Sequence, residues 1–206
     1  MRNYNLGFIS DENIYKHVKE TVMRYSASID LEAFNKNIID PIKLTFDSKV
    51  YGRTMEEVIA SECMRQMDKS NNNHIGYFHQ NLFRYAGNGW TVPEEGFDVV
   101  NEEKHIFSVF HANPSEMKRK NKIKLMIKMF GKVLTDEEAV CYIVDTSKHI
   151  HQEESWSIEI DKQICGDERI RYISIPAFYD KAFCQNGCYQ NVLHIFPMVL
   201  EDVLCA

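Results

Sequence analysis

No apolar run in this sequence of 206 residues approaches the roughly 20 residues that cross a bilayer. The first residues, MRNYNLGFISDEN, lack the apolar core of a secretory signal. These two absences argue against a membrane-embedded or exported protein and set the expectation of a cytoplasmic one. There is no internal repeat, no low-complexity tract and no Pro/Gly/Ser-rich linker, so one domain over residues 1–206 is expected. A chain of that size buries roughly 70% of its unfolded surface. Zinc is disfavoured as well: Cys184, Cys188 and His194 have no second close pair beside them, and structural zinc sites are built from such pairs. Cys141, inside AVCYIV, reads as a small buried thiol, and reduced cysteines are expected throughout. Finally, net positive charge is missing: the chain carries −6, which excludes a uniformly basic polyanion binder.

The distribution of charge says more than its sum. The stretch KRKNKIKLMIKMFGK, 118–132, holds Lys118, Arg119, Lys120, Lys122, Lys124, Lys128 and Lys132 without a single acid. Removing those seven charges takes the remainder from −6 to −13. Concentrated positive charge on an acidic body is the footprint of a polyanion groove, although a solvated helix face has the same composition.

The first third reads helical. Ile14, Val18, Val22 and Tyr25 recur at helical spacing behind Ser10, a good N-cap. LEAFNKNIIDPIKLTFD is a second helical stretch interrupted or bent at Pro41, and Thr54 with Glu57 forms a capping box before a third helix. Within that helix Glu62 falls in the stripe of Met55, Val58, Ile59 and Cys63. An inward carboxylate needs a cation, hydrogen-bond donors or a metal. HIGYFHQNLFRYAGNGW continues as helix to the Gly87–Gly89 turn. Strands follow at FDVVN, KHIFSVF, 139–145, 155–161 and 169–175, with a basic helix at 116–133 between the second and third, and a last helix near 189–204. SKHIHQEE, with His149 and His151, reads as a solvated loop. The order implies an α/β sandwich around one mixed sheet.

If Asn101 and Lys104 flank the turn of the first hairpin, Asp98 pairs with Phe107, and Asp98, Phe107, Val109 and His111 share a face. Acidic groups on neighbouring strands are the frame of a metal-assisted phosphodiesterase site, in which the ion activates water and a lysine steadies the transition state.

The segments NKNIIDPIKLTFDSKVY (35–51), DKSNNNHIGYFHQNLFRYAGNGWTVPEEGFDVVN (68–101) and DERIRYISIPAFY (167–179) resemble the type II restriction endonucleases that recognise the duplex pattern GGNCC. The resemblance runs nearly end to end. It implies the PD-(D/E)xK, restriction-endonuclease-like fold, with a central mixed β-sheet flanked by helices. It also implies double-stranded DNA as substrate, Mg²⁺ as the ion, a homodimer on a two-fold symmetric target, and a cognate methyltransferase as functional counterpart. One segment departs from that pattern. Where the family reads roughly Tyr-Val-Glu-x-Lys-Asn-Lys-His-Asn-Thr, this chain has Phe107-Ser-Val109-Phe-His111-Ala-Asn113-Pro-Ser-Glu116. Asp98 is kept, while Val109 and His111 stand at the Glu and Lys positions.

Three readings follow. In a rewired nuclease Asp98 and Glu62 hold the metal, Glu116 is the other replacement carboxylate, His111 positions water, and Lys118 or Lys124 supplies the cation. In a non-cutting DNA-binding homologue Lys118, Arg119, Lys120, Lys122 and Lys124 meet phosphates, while His74, His79, Gln80, Asn81 and Arg84 reach bases or backbone. In a decayed remnant only the core survives.

Overall fold

The computed structural model describes residues 2–25, 31–36 and 39–206. Seven helices and six strands are seen among them: α1 (Asp11–Arg24), α2 (Leu31–Lys36), α3 (Pro41–Tyr51), α4 (Met55–Leu82), β1 (Trp90–Thr91), β2 (Val99–Asn101), β3 (Ile106–His111), α5 (Arg119–Thr135), β4 (Val140–Asp145), β5 (Glu153–Ile160), β6 (Gln163–Ser174), α6 (Ile175–Phe183) and α7 (Cys188–Leu204). They fall into two compact units. One is Glu20–Phe78; the other joins the residues up to Lys19 with His79–Ala206. No described helix is long and apolar enough to cross a membrane, and all six cysteines are free thiols.

The smaller unit is helical for local reasons. Asp40 caps α3 by accepting from the Ile42 N–H at 2.9 Å, and Pro41 fills the first helical position, where no N–H is needed. The expected break at Pro41 is therefore a helix start; residues 37 and 38 of that stretch lie outside the described residues. The capping box forms reciprocally: the Thr54 N–H donates to Glu57 Oε2 at 2.8 Å and the Glu57 N–H to Thr54 Oγ1 at 3.2 Å. From there α4 runs 28 residues without interruption.

The larger unit is the α/β sandwich that the sequence implies. Its six strands lie in the order β1-β2-β3-β4-β6-β5, with β3, β4 and β6 parallel and the outer pairings antiparallel. On one face α5 buries Leu125, Met126, Met129 and Val133 against Val100, Phe107, Cys141, Ile143 and Ile170. Strand alternation sends Phe110 and Tyr142 to the other face, where they meet Phe178 of α6. Phe83, fully buried, packs there against Phe178 and Tyr179 with ring centroids 5.0 and 4.9 Å away.

His79 joins this aromatic cluster. Its Nδ1 lies 2.9 Å from the Tyr179 hydroxyl and its ring packs near Tyr189, so it is part of the core wall rather than a DNA-facing group. His149 is exposed yet stacks on the other side of Tyr189, so SKHIHQEE is not simply solvated. Burial, with lesser contributions from His17 and His149, lowers the His79 pKa from 6.5 to about 4. The folded state thus favours the neutral ring. That contribution is complete above pH 6.5 and is lost as pH falls towards 4, at a cost of roughly 3 kcal/mol. Urea midpoints of wild type and His79→Gln between pH 7 and 4 check this. The gap between the two proteins should shrink on acidification, and a constant gap would remove His79 as the acid-sensitive group.

Candidate functional site

The hairpin closes two residues later than its sequence suggests. Val99 pairs with Ser108, Val100 with Phe107 and Asn101 with Ile106, and that register continued one residue beyond β2 brings Asp98 beside Val109 instead of Phe107. The cause is Asn101, fully buried, whose side-chain oxygen takes the Lys104 N–H at 3.0 Å and whose amide donates to Asn88 O at 2.7 Å. Lys104 is thereby drawn into a four-residue turn, 102–105. Because side chains alternate with period two, a slip of two leaves every face unchanged. Asp98, Val109 and His111 still point to the α5 side, joined there by Asp145, the β4 partner of His111.

The carboxylate of Asp98 accepts the Phe110 N–H at 2.7 Å. Burial raises its pKa, opposed by that hydrogen bond and by the Lys128 ammonium. Lys128 reaches over from α5, donates to Gly96 O and lies 4.5 Å from the centre of the Phe97 ring. Val109 packs at the rim of the α5-side core. His111 is half-buried, and its Nδ1 is buried without a hydrogen-bond partner among the described residues.

Asp145 was not among the residues singled out, yet it organises the carboxyl ends of the parallel strands. Its Oδ1 accepts from the Ser147 hydroxyl at 2.7 Å and N–H at 2.9 Å and from the Asn113 N–H at 3.3 Å; its Oδ2 accepts the Tyr172 hydroxyl at 2.8 Å. Burial works to raise its pKa, but these donors prevail and hold it below the usual carboxylate value. It lines a cleft of about 480 Å³ with Asn113, Ser147, Lys122, Trp156 and Tyr172. A neighbouring cleft of about 400 Å³ shares Lys122 and Trp156 and continues past Arg119 along β5. Clefts at the carboxyl ends of parallel strands are where α/β sheets bind ligands. The signal for Asp145 in the sequence was its place as the last, polar residue of the apolar strand AVCYIVD.

The basic segment divides. Lys118, Lys120 and Lys124 are exposed, and their ammonium groups make no hydrogen bond or ion pair among the described residues. Arg119 pairs with Asp161 at 3.1 Å, and Lys122 donates to Ser115 O at 2.7 Å. Lys128 and Lys132 turn to the sheet, Lys132 lying 3.9 Å from the centre of the Phe107 ring. Their positions beside Leu125 and Met129 in the helical repeat mark them as inward-leaning. The other expected residues lie elsewhere. Glu116 is exposed on a short 3₁₀ turn, Pro114–Glu116. His74 and Gln80 are half-buried on α4. Glu62 does face inward in the smaller unit, but its carboxylate is held by Arg65, with Arg65 Nε 2.7 Å from Oε2, and by Gln66. Chiefly the Arg65 hydrogen bond lowers its pKa. The partner this carboxylate required is therefore a cation of its own helix.

The Eco47II restriction endonuclease family model matches residues 6–205. The chain belongs to the Eco47II restriction endonuclease family. It is 27% identical over 215 residues to the type II restriction enzyme Sau96I of Staphylococcus aureus, covering 98% of this chain and 82% of that one. It is 32% identical over 107 residues to the type II restriction enzyme Eco47II of Escherichia coli, covering 50% of this chain and 44% of that one. No solved structure matches it.

Family membership raises the question of Mg²⁺, which is held by one or two carboxylates together with substrate phosphates and water. Along this family hairpin Asp98 alone offers oxygen. Val109 offers none, and the imidazole of His111 is a poor ligand for so hard a cation. Asp145 already receives four hydrogen bonds. Among the described residues, no three His, Cys, Asp or Glu side chains converge on a point where a metal could sit. The residues present do not fit the ion, and no hydrolytic step is derived through it.

Proposed function

We propose that this restriction-endonuclease family member recognises double-stranded DNA at a GGNCC-type site, acting in the cytoplasm as a homodimer within a restriction–modification setting. The observation that carries this reading is the surface beside the paired clefts. Lys118, Lys120 and Lys124 stand exposed at the start of α5, and Lys122 lines both clefts. That arrangement puts mobile positive charge beside a groove on an otherwise acidic chain, as phosphate contacts demand. Site-specific hydrolysis of both strands with Mg²⁺ is the family's own chemistry, so digestion has to be examined together with binding even though the hairpin's residues do not fit the ion.

The test is a pair of assays on one preparation. Binding to a duplex containing GGNCC, followed across a salt series, should show a steep linear fall of log affinity with log salt and preference over a scrambled duplex. Plasmid carrying GGNCC sites is incubated with Mg²⁺ and then Mn²⁺ beside Asp98→Ala protein. Absence of salt-sensitive binding would defeat the recognition reading. Discrete fragments that vanish with Asp98→Ala would show a live nuclease, with His111, Glu62 and Glu116 the next residues to vary.

A further inference from the structure

We infer that the hairpin has lost its ion-holding chemistry through two side chains alone, Val109 and His111, and that the backbone frame which would aim a carboxylate and an ammonium there is intact. This rests on the reading of the chain as a duplex-DNA-recognising member of its family.

The frame is complete by three measures. Asp98 lies just before β2 and brackets Val109, its N–H donating to Ser108 O at 2.8 Å and its carboxylate accepting the Phe110 N–H at 2.7 Å. All six residues of β3 pair in parallel with β4, Ile106 with Val140 through His111 with Asp145, and no bulge interrupts them. Position 111 shares the face of 109 and 98, two residues further towards the cleft. A carboxylate at 109 would therefore stand beside Asp98, and a long cationic chain at 111 would follow it on the same side.

The present occupants fit that frame without using it. Val109 is only partly buried at the core rim, and His111 is likewise half-exposed, so a longer polar side chain has a route to solvent at both. The Nδ1 of His111 makes no hydrogen bond among the described residues that its substitution would break. Asp98, meanwhile, is satisfied from within the chain by the Phe110 N–H and the nearby Lys128 ammonium. Among the described residues the candidate acids do not replace the missing carboxylate: Asp145 is saturated, Glu116 is exposed, and Glu62 is bound to Arg65.

The experiment compares wild type with Val109→Glu/His111→Lys. Both are assayed for thermal unfolding with and without Mg²⁺, for binding to a GGNCC duplex, and for plasmid cleavage. Wild type should show no Mg²⁺-dependent rise in midpoint and no cleavage. The double variant should show a rise, and cleavage enhanced on the order of 10³-fold, given the roughly 10²- to 10³-fold that single charge-stabilising groups supply. Adding Asp98→Ala should abolish both gains. Cleavage by wild type would overturn the inference, as would a folded, DNA-binding double variant that neither takes up Mg²⁺ nor cuts. Val109→Asp/His111→Lys, with the shorter carboxylate, guards against crowding. If neither double variant folds, the inference also fails, because it states that the frame accepts these side chains. Loss of DNA binding by wild type would instead strike the recognition reading, leaving the Mg²⁺ shift to decide this one.

Discussion

Replacing Lys118, Lys120 and Lys124 together by Ala weakens binding to duplex DNA by roughly 10²- to 10³-fold near 0.1 M salt, and lowers the slope of log affinity against log salt by about three. Each lysine that meets a phosphate releases about one condensed counterion, which is worth roughly tenfold at that salt concentration. These three are chosen because their ammonium groups are exposed and have no partners among the described residues. The fold should be indifferent to their loss, since α5 is anchored by Leu125, Met126, Met129 and Val133. Substituting Lys128 and Lys132 instead should leave the salt slope nearly unchanged, because both are turned towards the sheet and its aromatic rings. Equal slopes for the two variants would mean that α5 does not face the duplex.

Asp145→Ala costs about 2–3 kcal/mol, the upper part of the range for leaving buried neutral donors without their acceptor. Four hydrogen bonds disappear together, leaving the Tyr172 hydroxyl and the Ser147 and Asn113 N–H groups to find water. Chemical denaturation at neutral pH measures the loss directly. The pH dependence gives a second check. Because the folded pKa lies below the ordinary 3.8, this carboxylate's contribution is fully present above that value and fades only as pH falls through the lower folded pKa. The variant should consequently be less stable by the same amount from pH 5 to 8, and the gap should narrow only in strong acid. Tyr172→Phe, which removes one donor and keeps the ring, should recover most of the stability. A loss below about 1 kcal/mol for Asp145→Ala would mean that the carboxylate is not the anchor of these turns.

Much of the architecture was legible because it is written in local rules. The capping box at Thr54, the Ser10 cap (Asn13 N–H to Ser10 Oγ at 3.2 Å), the alternation of β5 and the helical repeat of α7 all depend on neighbours in the chain. Two elements escaped. β1 is only two residues long, too short for any period to show. α6 follows β6 without a break in apolar character, so RIRYISIPAFY reads as strand until Pro176 is recognised as a first-turn helical residue. The site was harder for a different reason. The shared face of Asp98, Val109 and His111 follows from strand alternation, and the inward turn of Glu62 from the helical repeat. Which charges neutralise one another does not: Lys128 beside Asp98 and Arg65 on Glu62 are matters of rotamer and packing. Lys118 and Lys124, expected to bring a cation to Asp98, point outward, and Lys128 approaches that carboxylate instead.

The four-residue turn after Asn101 sets a rule of arithmetic for this hairpin. Lengthening or shortening it by an even number of residues slides β3 past β2 yet returns every side chain to its own side. An odd change exchanges the sides of one strand relative to the other: Asp98 would then share a face with Ser108 and Phe110 instead of Val109 and His111. A change of length at residues 102–105 is therefore constrained by parity more than by size, and a single-residue insertion there would do more harm to this protein than a pair.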